Sequence, residues 1–368
     1  MFGYSRRPRQ SKVRKIFGLG AAVFFGCLAP AFCADETMVF AVDVIRHGDR
    51  TPIIELPNVP VKWPQGLGQL TAEGMNQEFQ LGKEFRKRYV EQYHLLPETY
   101  DRETMYVRAS DVDRTLMSAE CTLLGLYPMG KGPLTESGTE AVTGRYQPIP
   151  VHTRPRDTDD VLIPDANKAL PEVSKRFVYE SADWKAKFDQ EQPNFERWGK
   201  LIGKPITAMQ QLSLIGDAFY IMKLHHVPLP KGITQADADA MAKLGDWVFA
   251  ENFKPAEVGQ VTGINLLKLI VNHFEEATRD SSKLKYELYS AHDSTICALL
   301  SAVKAPADTK PHYSSDLNIT LWKTDGKFNV KMTLNGQPVN FPGSVNGTGS
   351  LEKFAELLPR KTASSGSN

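Results

Sequence analysis

The sequence predicts an α/β protein in which a mainly parallel central sheet is flanked by helices and carries an inserted, mostly helical subdomain. Three segments support the sheet, because each begins as a short apolar strand and ends in polar residues. They are residues 39–52, 104–127 and 286–303. Between the second and the third, residues 131–260 show Pro/Gly turns and helical stretches with few strand signals. We therefore expect an α/β core made of residues 35–130 and 261–362, interrupted by a mainly helical cap subdomain over residues 131–260.

The first of these segments carries the most informative pattern. Val39–Ile45 is a nearly unbroken β-branched and aromatic run, which is typical of a strand buried on both faces of a parallel sheet. The turn that follows places Arg46, His47 and Arg50 within five positions, and Gly48 allows it to bend tightly. Ligands bind at the carboxyl ends of strands in open α/β sheets, and guanidinium groups suit phosphate. The pattern predicts a phosphate site with a histidine in its middle, although Arg-His-Gly alone would also fit a solvated turn.

Length, composition and charge limit the class of protein. The chain has 368 residues, 41% hydrophobic and 24% charged, which is typical of a globular enzyme with a large core. Six of the 44 basic residues and none of the 43 acidic residues lie in residues 1–34, so the rest of the chain has a net charge of −5. A body of that sign has no general affinity for nucleic acid, and any anion site must be a local group of arginines.

The first 34 residues are typical of a secretory signal peptide. They have a basic start, an apolar run over residues 16–31 and small residues such as Ala31 and Ala34 at the end. We expect cleavage, a periplasmic or secreted mature protein and no stable membrane span, with an uncleaved anchor as the alternative. The mature chain keeps Cys121 and Cys297, and whether they form a disulfide stays open.

The loop and helix after the charged turn are expected to frame the site. Residues 53–70 are rich in proline and glycine, so they form a loop that shapes substrate access. Thr71 can cap a helix that runs from Ala72 to about His94. Its apolar residues recur at steps of four and are expected to face the core: Leu81, Phe85, Tyr89 and Tyr93.

Periodicity and turn signals predict the remaining elements. They are helices over residues 173–189, 206–226, 261–276, 296–303 and 351–358, and two or three strands within residues 317–341. Asp325-Gly326 and Asn335-Gly336 are typical of hairpin turns between those strands. Residues 363–368 are expected to be a disordered tail.

The second strand segment places another arginine beside a helix start. Met105–Val107 is a short strand, Arg108 stands at its end, and Asp111 can cap the helix that follows. An arginine at that position could present a third guanidinium to the same phosphate.

A rival motif overlaps this segment. Residues Asp111–Thr115 spell Asp-x-Asp-x-Thr, the nucleophile string of haloacid-dehalogenase-type phosphatases. That string should follow an apolar strand directly, whereas Arg108–Ser110 intervene here, and the metal-binding partner Gly-Asp-x-x-x-Asp is missing. A calcium loop is excluded as well, because Leu116 occupies the position that requires glycine.

The third segment supplies a second histidine and an acid. Tyr286–Ser290 is a strand, and His292 and Asp293 follow it before an apolar helix. His225 and His226 lack a third ligand at helical spacing, so we interpret them as surface residues rather than a metal site. The remaining histidines are isolated in the sequence and receive no role: His94, His152, His273 and His312.

Together these motifs resemble the histidine acid phosphatases, in the acid phosphatase and phytase branch of the histidine phosphatases. The resemblance rests on Arg-His-Gly-x-Arg-x-Pro at residues 46–52, Arg-x-x-Asp-x-Asp-Arg-Thr at 108–115 and His292-Asp293. Further strings at residues 68–71, 146–153 and 351–357 are most similar to the prostatic and lysosomal acid phosphatase subgroup. The resemblance extends from about Val39 to Leu358 and implies a phosphoglycerate-mutase-like fold.

The resemblance also implies the chemistry. His47 would be the nucleophile that forms a phosphohistidine, and Asp293 the general acid. The phosphoryl oxygens would be held by Arg46, Arg50, Arg108 and His292. The arginines would supply the charge that magnesium supplies in other phosphoryl-transfer enzymes, so we expect no metal and no cofactor, and an acid pH optimum.

One difference from the phytase sequence pattern narrows the expected substrate class. Phytases of this branch carry an asparagine shortly after the His-Asp pair, whereas this chain has Ser294 and Thr295 there. We therefore expect a broad acid phosphatase acting on small-molecule phosphate monoesters, with phosphorylated proteins and a homodimer left open. A mutase of the same superfamily and a non-catalytic phosphate-binding protein are the alternatives.

Overall fold

The computed structural model describes residues 36–59, 61–279 and 282–359. The predicted signal peptide and the predicted tail lie outside these residues. The described part is organised around a seven-stranded sheet. Its strands are β1 (Thr37–Arg46), β2 (Met105–Ala109), β3 (Tyr286–Ala291), β4 (Asp316–Thr324), β5 (Lys327–Leu334), β6 (Gln337–Pro338) and β7 (Thr348–Ser350).

The sheet has a parallel core and an antiparallel side. The strand order is β2-β3-β1-β4-β5-β6, and β7 pairs with β5. β3 pairs in parallel with both β1 and β2, so the three strands that carry the motifs form the parallel core that the sequence predicts. β4 runs antiparallel to β1, and β5 runs antiparallel to β4. The predicted hairpin turns are confirmed, because Asp325, Gly326, Asn335 and Gly336 all have the positive φ that such turns require.

Helices flank the sheet. They are α1 (Ala72–Phe85), α2 (Asp113–Leu126), α3 (Leu170–Ser174), α4 (Ala182–Ile202), α5 (Gln211–Leu224), α6 (Gln235–Glu251), α7 (Ala256–Thr262), α8 (Ile264–Thr278), α9 (Asp293–Ala302) and α10 (Leu351–Ala355). Single π-helical turns follow α1 at Arg86–Gln92 and α3 at Lys175–Tyr179. Short 3-10 turns lie at Thr143–Arg145 and Pro164–Ala166.

β1 is buried on both faces, as its composition predicts. Phe40 and Val44 belong to one hydrophobic cluster, which includes Ile270 of α8. Ala41 and Ile45 point to the opposite face and belong to a second cluster with residues of α1 and α2. The sheet is therefore a central layer with helices on each side, which explains the continuous apolar run.

α1 begins where the sequence predicts, but its end differs. The Thr71 hydroxyl accepts a hydrogen bond from the Gly74 N–H at 3.1 Å and caps the helix. Phe85 and Tyr89 are buried as expected, whereas Tyr93 is 38% exposed, so its prediction as a core residue is wrong. The π-helical turn after Phe85 widens the helix, and the residues beyond it no longer follow the 3.6-residue period.

Two other helix boundaries differ from the sequence prediction. Asp111 does not cap α2, because Val112 occupies the cap position and makes no side-chain hydrogen bond there. The predicted helix over residues 173–189 is broken, because Ser181 starts a new helix by accepting a hydrogen bond from the Trp184 N–H. A serine cap is a strong local start signal, and it overrides the continuous periodicity.

The middle of the chain is mainly helical, as predicted. α4, α5 and α6 enclose a third hydrophobic cluster that includes Trp198 and Met241. α5 and α6 approach closely because Gly216 and Gly245 lack side chains: a Cβ on Gly216 would lie 2.4 Å from the Met241 carbonyl oxygen. The boundaries of the cap subdomain stay a prediction.

Two questions that the sequence raised concern membranes and thiols. Across the described ranges, no helix is both long and apolar enough to cross a bilayer. Cys121 on α2 is half-buried, Cys297 on α9 is buried, and both are free thiols, so the structure contains no disulfide between them.

Candidate active site

The carboxyl ends of β1 and β3 bring two of the predicted motifs together. Arg46 and Ala291 are partners in the parallel register. The His47 N–H donates to the Ala291 carbonyl oxygen at 3.0 Å, which holds the start of the charged turn beside the end of β3. As a result, the ring centroids of His47 and His292 lie 5.6 Å apart.

The His47 side chain is held in one orientation, and its surroundings favour the neutral imidazole. The side chain is buried, and Nδ1 lies 2.8 Å from the Gly48 carbonyl oxygen. Because a carbonyl only accepts, Nδ1 carries the proton and Nε2 keeps its lone pair. Burial, followed by the charges of nearby arginines with Arg114 first, lowers the pKa of His47 well below its usual 6.5. A neutral imidazole with a free Nε2 is the form that can attack phosphorus.

The charged turn is fixed against two helices. A Cβ on Gly48 would lie 2.4 Å from the Gly74 carbonyl oxygen of α1, so the close approach of the two backbones requires glycine. The Gly48 N–H donates to the Ser118 hydroxyl at 3.2 Å. The Asp49 N–H donates to Gln77 Oε1 at 2.8 Å. These contacts preorganise the backbone that presents His47.

Asp293 begins α9 and is surrounded by cations. Arg46 Nη2 lies 3.0 Å from Asp293 Oδ2, and Lys310 Nζ lies 3.6 Å from the same oxygen. The Arg46 guanidinium also lies over the Tyr313 ring, 4.2 Å from its centroid. Burial raises the pKa of the Asp293 carboxyl, but the cations, with Arg46 first and Lys310 next, outweigh burial and lower that pKa.

Arg50 is paired with a carboxylate that the sequence analysis did not select. Arg50 Nη1 lies 3.0 Å from Asp217 Oδ2, and Lys310 Nζ lies 2.6 Å from Asp217 Oδ1. Asp217 is buried on α5, so the helical part of the chain contributes directly to this site. The sequence does not indicate that Asp217 and Lys310 belong to the site, because neither residue lies near a motif.

His292 is oriented through both ring nitrogens. Its Nε2 lies 2.8 Å from the Ser110 hydroxyl, and its Nδ1 lies 3.4 Å from Arg114 Nη2. Arginine only donates, so Nδ1 accepts and Nε2 carries the proton. Burial and then the charge of Arg114 lower the pKa of His292 to about 3. The histidine is therefore a neutral polar group rather than a further cation.

Arg108 forms a buried ion pair at the end of β2. Arg108 Nη2 donates to Asp159 Oδ1, and both side chains are buried. Asp159 also accepts the Leu162 N–H at 3.1 Å. Arg108 thus anchors the segment that crosses the end of β2. Arg114, in the first turn of α2, lies beside His292 and lines a cavity at this end of the sheet.

A cavity of about 570 Å³ opens at this end of the sheet. Its polar lining includes His47, Arg50, Arg114, His292 and Asp293. Its apolar lining includes Ile53, Leu170, Phe249 and Phe253, so the first part of the predicted access loop contributes to it. Arg156 also lines the cavity, and it forms no ion pair within the described residues. Arg46 pairs with Asp293 and is not among the residues that line the cavity, and the rival nucleophile Asp111 is exposed outside it.

His225 contacts the charged turn, so its prediction as a surface residue is wrong. His225 Nε2 lies 2.8 Å from Asp49 Oδ2, and the ring packs edge-to-face on Trp63 with centroids 5.4 Å apart. His225 is the residue that ends α5, and tertiary packing brings it to the turn, which sequence spacing does not reveal. His226 is exposed as predicted.

The same contact explains a group of three potential metal ligands. Asp49, Glu73 and His225 place ligand atoms within 4.8 Å of one another. However, Glu73 is exposed, and the Asp49 carboxylate already accepts the Thr71 hydroxyl and contacts His225. Direct pairing of Asp49 with His225 accounts for the arrangement.

Comparison with known proteins identifies relatives over most of the chain. The sequence model of the Histidine phosphatase superfamily (branch 2) matches residues 37–335. Prostatic acid phosphatase from Homo sapiens is 33% identical over 337 residues, which cover 88% of this chain and 85% of that protein. Lysosomal acid phosphatase from Xenopus laevis is 33% identical over 340 residues, which cover 87% and 75%.

A solved structure agrees with these relatives. The phytase from Citrobacter braakii matches with a TM-score of 0.64 at 18% identity, over 87% of this chain and 97% of that one, which shows a shared fold. The resemblance that the motifs predict, to prostatic and lysosomal acid phosphatases, is confirmed. The chain belongs to branch 2 of the histidine phosphatase superfamily.

Proposed function

We propose that this protein is an exported acid phosphatase that hydrolyses phosphate monoesters to an alcohol and inorganic phosphate through a phosphohistidine on His47. The observation that carries the proposal is the buried, neutral imidazole with a free Nε2 in one cavity with Arg50, Arg114 and Asp293. That arrangement combines a nucleophile, fixed positive charge and a carboxyl group. The names of the relatives support the same activity.

In the first step, His47 Nε2 attacks phosphorus and the P–O bond to the alcohol breaks. Arg50 and Arg114 bind the phosphoryl oxygens, and His292 can donate through Nε2–H only by leaving Ser110. Arg46 and Arg108, which pair with Asp293 and Asp159, complete the proposed phosphate-binding set, and Arg114 is added to that set from the cavity lining. Asp293 gives its proton to the departing alkoxide, so charge does not accumulate on the leaving oxygen.

In the second step, Asp293 acts as a base. The carboxylate removes a proton from water, the water oxygen attacks phosphorus, and the N–P bond to His47 breaks. Inorganic phosphate leaves, and His47 returns to its neutral form. The roles of acid and base alternate on one carboxyl group, as microscopic reversibility requires.

The proton on Asp293 explains the expected acid optimum. The surrounding cations favour the carboxylate, and they lower the pKa of Asp293. The negative charge of a bound phosphate acts in the opposite direction and favours the protonated carboxyl. Acid medium therefore supplies the proton for the first step, while the lowered pKa of His47 keeps the nucleophile neutral under the same conditions.

Substrate choice is proposed from the cavity lining. Phe249, Phe253 and Leu170 would contact the carbon skeleton of the alcohol, and no dense group of cations lies among the residues that line this cavity beyond Arg50, Arg114 and Arg156. This lining supports a broad range of small phosphate monoesters over a polyphosphate-specific site. The basic and apolar N-terminal segment supports export.

A substrate panel with product analysis tests the activity. We expect the purified mature chain to release inorganic phosphate from aryl and alkyl monophosphates at acid pH, equally with and without EDTA. A mutase would return the phosphate to another position on the same carbon skeleton. A phosphate-binding protein would bind phosphate without turnover. Either of those results, or loss of activity in EDTA, would contradict the proposal.

A further inference from the structure

Four contacts join five residues of alternating charge into one linear series of ion pairs. Arg50 contacts Asp217 at 3.0 Å, and Asp217 contacts Lys310 at 2.6 Å. Lys310 contacts Asp293 at 3.6 Å, and Asp293 contacts Arg46 at 3.0 Å. Lys310 is the only member of this chain of contacts that touches both carboxylates. It therefore connects the carboxylate on α5 with the proposed general acid on α9.

The surroundings of Lys310 hold its ammonium in this place. The side chain is 13% exposed, and Nζ lies 5.3 Å from the centroid of the Phe249 ring, which lines the cavity. The contact with Asp217 is the shorter of its two ion pairs. Lys310 itself is not among the residues that line the cavity, so its effect on a substrate has to pass through Asp293.

We propose that Lys310 is a positioning residue that acts through Asp293 and sets how acidic the medium must be before Asp293 protonates the leaving group. The inference rests on the proposed role of Asp293. An ammonium 3.6 Å from a carboxylate favours its charged form, so the carboxyl holds its proton only at lower pH. Without Lys310, Asp217 would also lose its nearest cation, and its negative charge would act on Asp293 in the same direction as the loss of the ammonium.

Other charged groups around Asp293 remain when Lys310 is replaced. Arg46 on β1 still contacts the carboxylate, and Arg50 and His292 still face it from the charged turn and the end of β3. Asp217 on α5 and Asp246 on α6 add negative charge, and Asp246 interacts electrostatically with both Lys310 and Asp293. The cations that remain keep Asp293 acidic, so we expect a shift of its titration rather than its abolition.

The test compares pH profiles of kcat for an alkyl monophosphate, whose leaving group needs protonation. In Lys310→Met, the alkaline limb of the profile should move to higher pH by about one unit, which is the lower end of the effect of one neighbouring charge on the pKa of a carboxyl group. Lys310→Arg keeps the charge and should restore the wild-type limb. Lys268→Met removes an exposed lysine on α8 and should leave the profile unchanged. The substrate's own ionisation is the same for every variant, so the difference between profiles reports the protein.

Further variants separate this inference from the proposed function. Asp293→Ala should lose the alkaline limb, which assigns that limb to Asp293. If Asp293→Ala keeps the limb, the proposed acid role fails, and the inference on Lys310 fails with it. If Asp293→Ala loses the alkaline limb but folded Lys310→Met keeps that limb at the wild-type pH, the inference on Lys310 is overturned. The acid role of Asp293 would stand in that case. If Lys310→Met fails to fold, Lys310→Gln takes its place, because glutamine can still donate to Asp217. This variant has to show the same shift of the alkaline limb to higher pH. An unshifted limb in Lys310→Gln would overturn the inference on Lys310.

Discussion

Arg46 Nη2 lies 3.0 Å from Asp293 Oδ2, so the last residue of β1 and the first residue of α9 form an ion pair within the site. The pair holds the carboxyl group in the cavity that His47 also lines. It also ties the proposed acid to the strand that presents the proposed nucleophile. The geometry of acid and nucleophile thus depends on the parallel pairing of β1 with β3.

Replacing Asp293 by Ala should separate the two halves of the mechanism. A general acid matters most for a poor leaving group, so turnover of an alkyl phosphate should fall by about 10²–10⁴-fold. Nitrophenolate leaves without help, so phosphorylation of His47 by nitrophenyl phosphate should fall much less. Single-turnover measurements with both substrates check this, and Asp293→Asn is the matched variant that keeps the shape of the side chain. Equal losses for both substrates would remove Asp293 from the acid role and leave Asp49 as the next candidate.

Arg114 and Arg108 should differ in what their removal damages. Arg114 lines the cavity, so Arg114→Ala should lower kcat/KM by about 10²–10³-fold, as for loss of one transition-state contact, while the protein stays folded. Arg108 is paired with buried Asp159, so Arg108→Ala should lower the free energy of unfolding by about 3–5 kcal/mol.

Denaturant unfolding and steady-state kinetics on both variants check this pair of expectations. The double variant Arg108→Ala with Asp159→Ala should recover part of the stability, because it leaves no unpaired buried charge. A folded, stable Arg108→Ala that has lost phosphate binding would show that Arg108 serves the phosphate and that its ion pair with Asp159 contributes little to stability.

Glu78 should make the fold less stable as the pH rises. Its carboxyl is buried, accepts the Ser314 and Thr122 hydroxyls at 2.7 and 3.0 Å, and has a pKa raised by burial to about 8. Between its usual pKa of 4.5 and about 8, the native state keeps a proton that the unfolded state releases, so the free energy of unfolding falls across that window.

Thermal melting of Glu78→Gln between pH 5 and pH 8 measures this effect. The neutral variant should lose less stability with rising pH than the wild-type protein does, and the two should converge toward acid pH. Glu120→Gln, on the exposed face of α2, is the control and should follow the wild-type curve. Parallel curves for Glu78→Gln and the wild-type protein would show that Glu78 does not hold a proton in the native state.

The N-terminal segment should be absent from the mature protein. A basic start and a short apolar run are typical of a cleaved signal, so expression of the full chain should give a product that begins between Phe32 and Asp35. N-terminal sequencing of an extracytoplasmic fraction checks this. An intact amino terminus on a membrane-bound cytoplasmic protein would contradict export.

Local patterns predicted the parts of the fold that local physics decides. The apolar run of β1 and the turn after it lie within residues 39–52, so composition alone indicates a buried strand that ends at a charged site. The hairpins at Asp325-Gly326 and Asn335-Gly336 need only the backbone freedom of those residues. The predictions for Tyr93 and Asp111 were wrong for local reasons. The π-helical turn changes which residues after Phe85 face the core, and the cap position of α2 is Val112, one residue later than predicted.

Long-range contacts decided what the sequence could not indicate. Asp217, Lys310 and His225 are ordinary charged or polar residues until tertiary packing brings them to the turn after β1. Arg108 and Arg114 belong to one motif, and only the position of Asp159 in the structure shows that Arg108 is the one paired with a buried carboxylate. The motifs therefore indicated the site, and the structure adds Asp217, Lys310 and His225 to its surroundings.

A rapid-quench experiment with radiolabelled nitrophenyl phosphate tests the phosphohistidine on His47 most directly. We expect label on the wild-type protein within the first turnover, stable in alkali and lost in acid, located on His47 by peptide mapping and unaffected by EDTA. His47→Ala should remain folded by circular dichroism, form no labelled protein and release no nitrophenol above the uncatalysed rate. Label that resists acid, depends on a divalent metal and maps to Asp111, or continued turnover in His47→Ala, would contradict the mechanism.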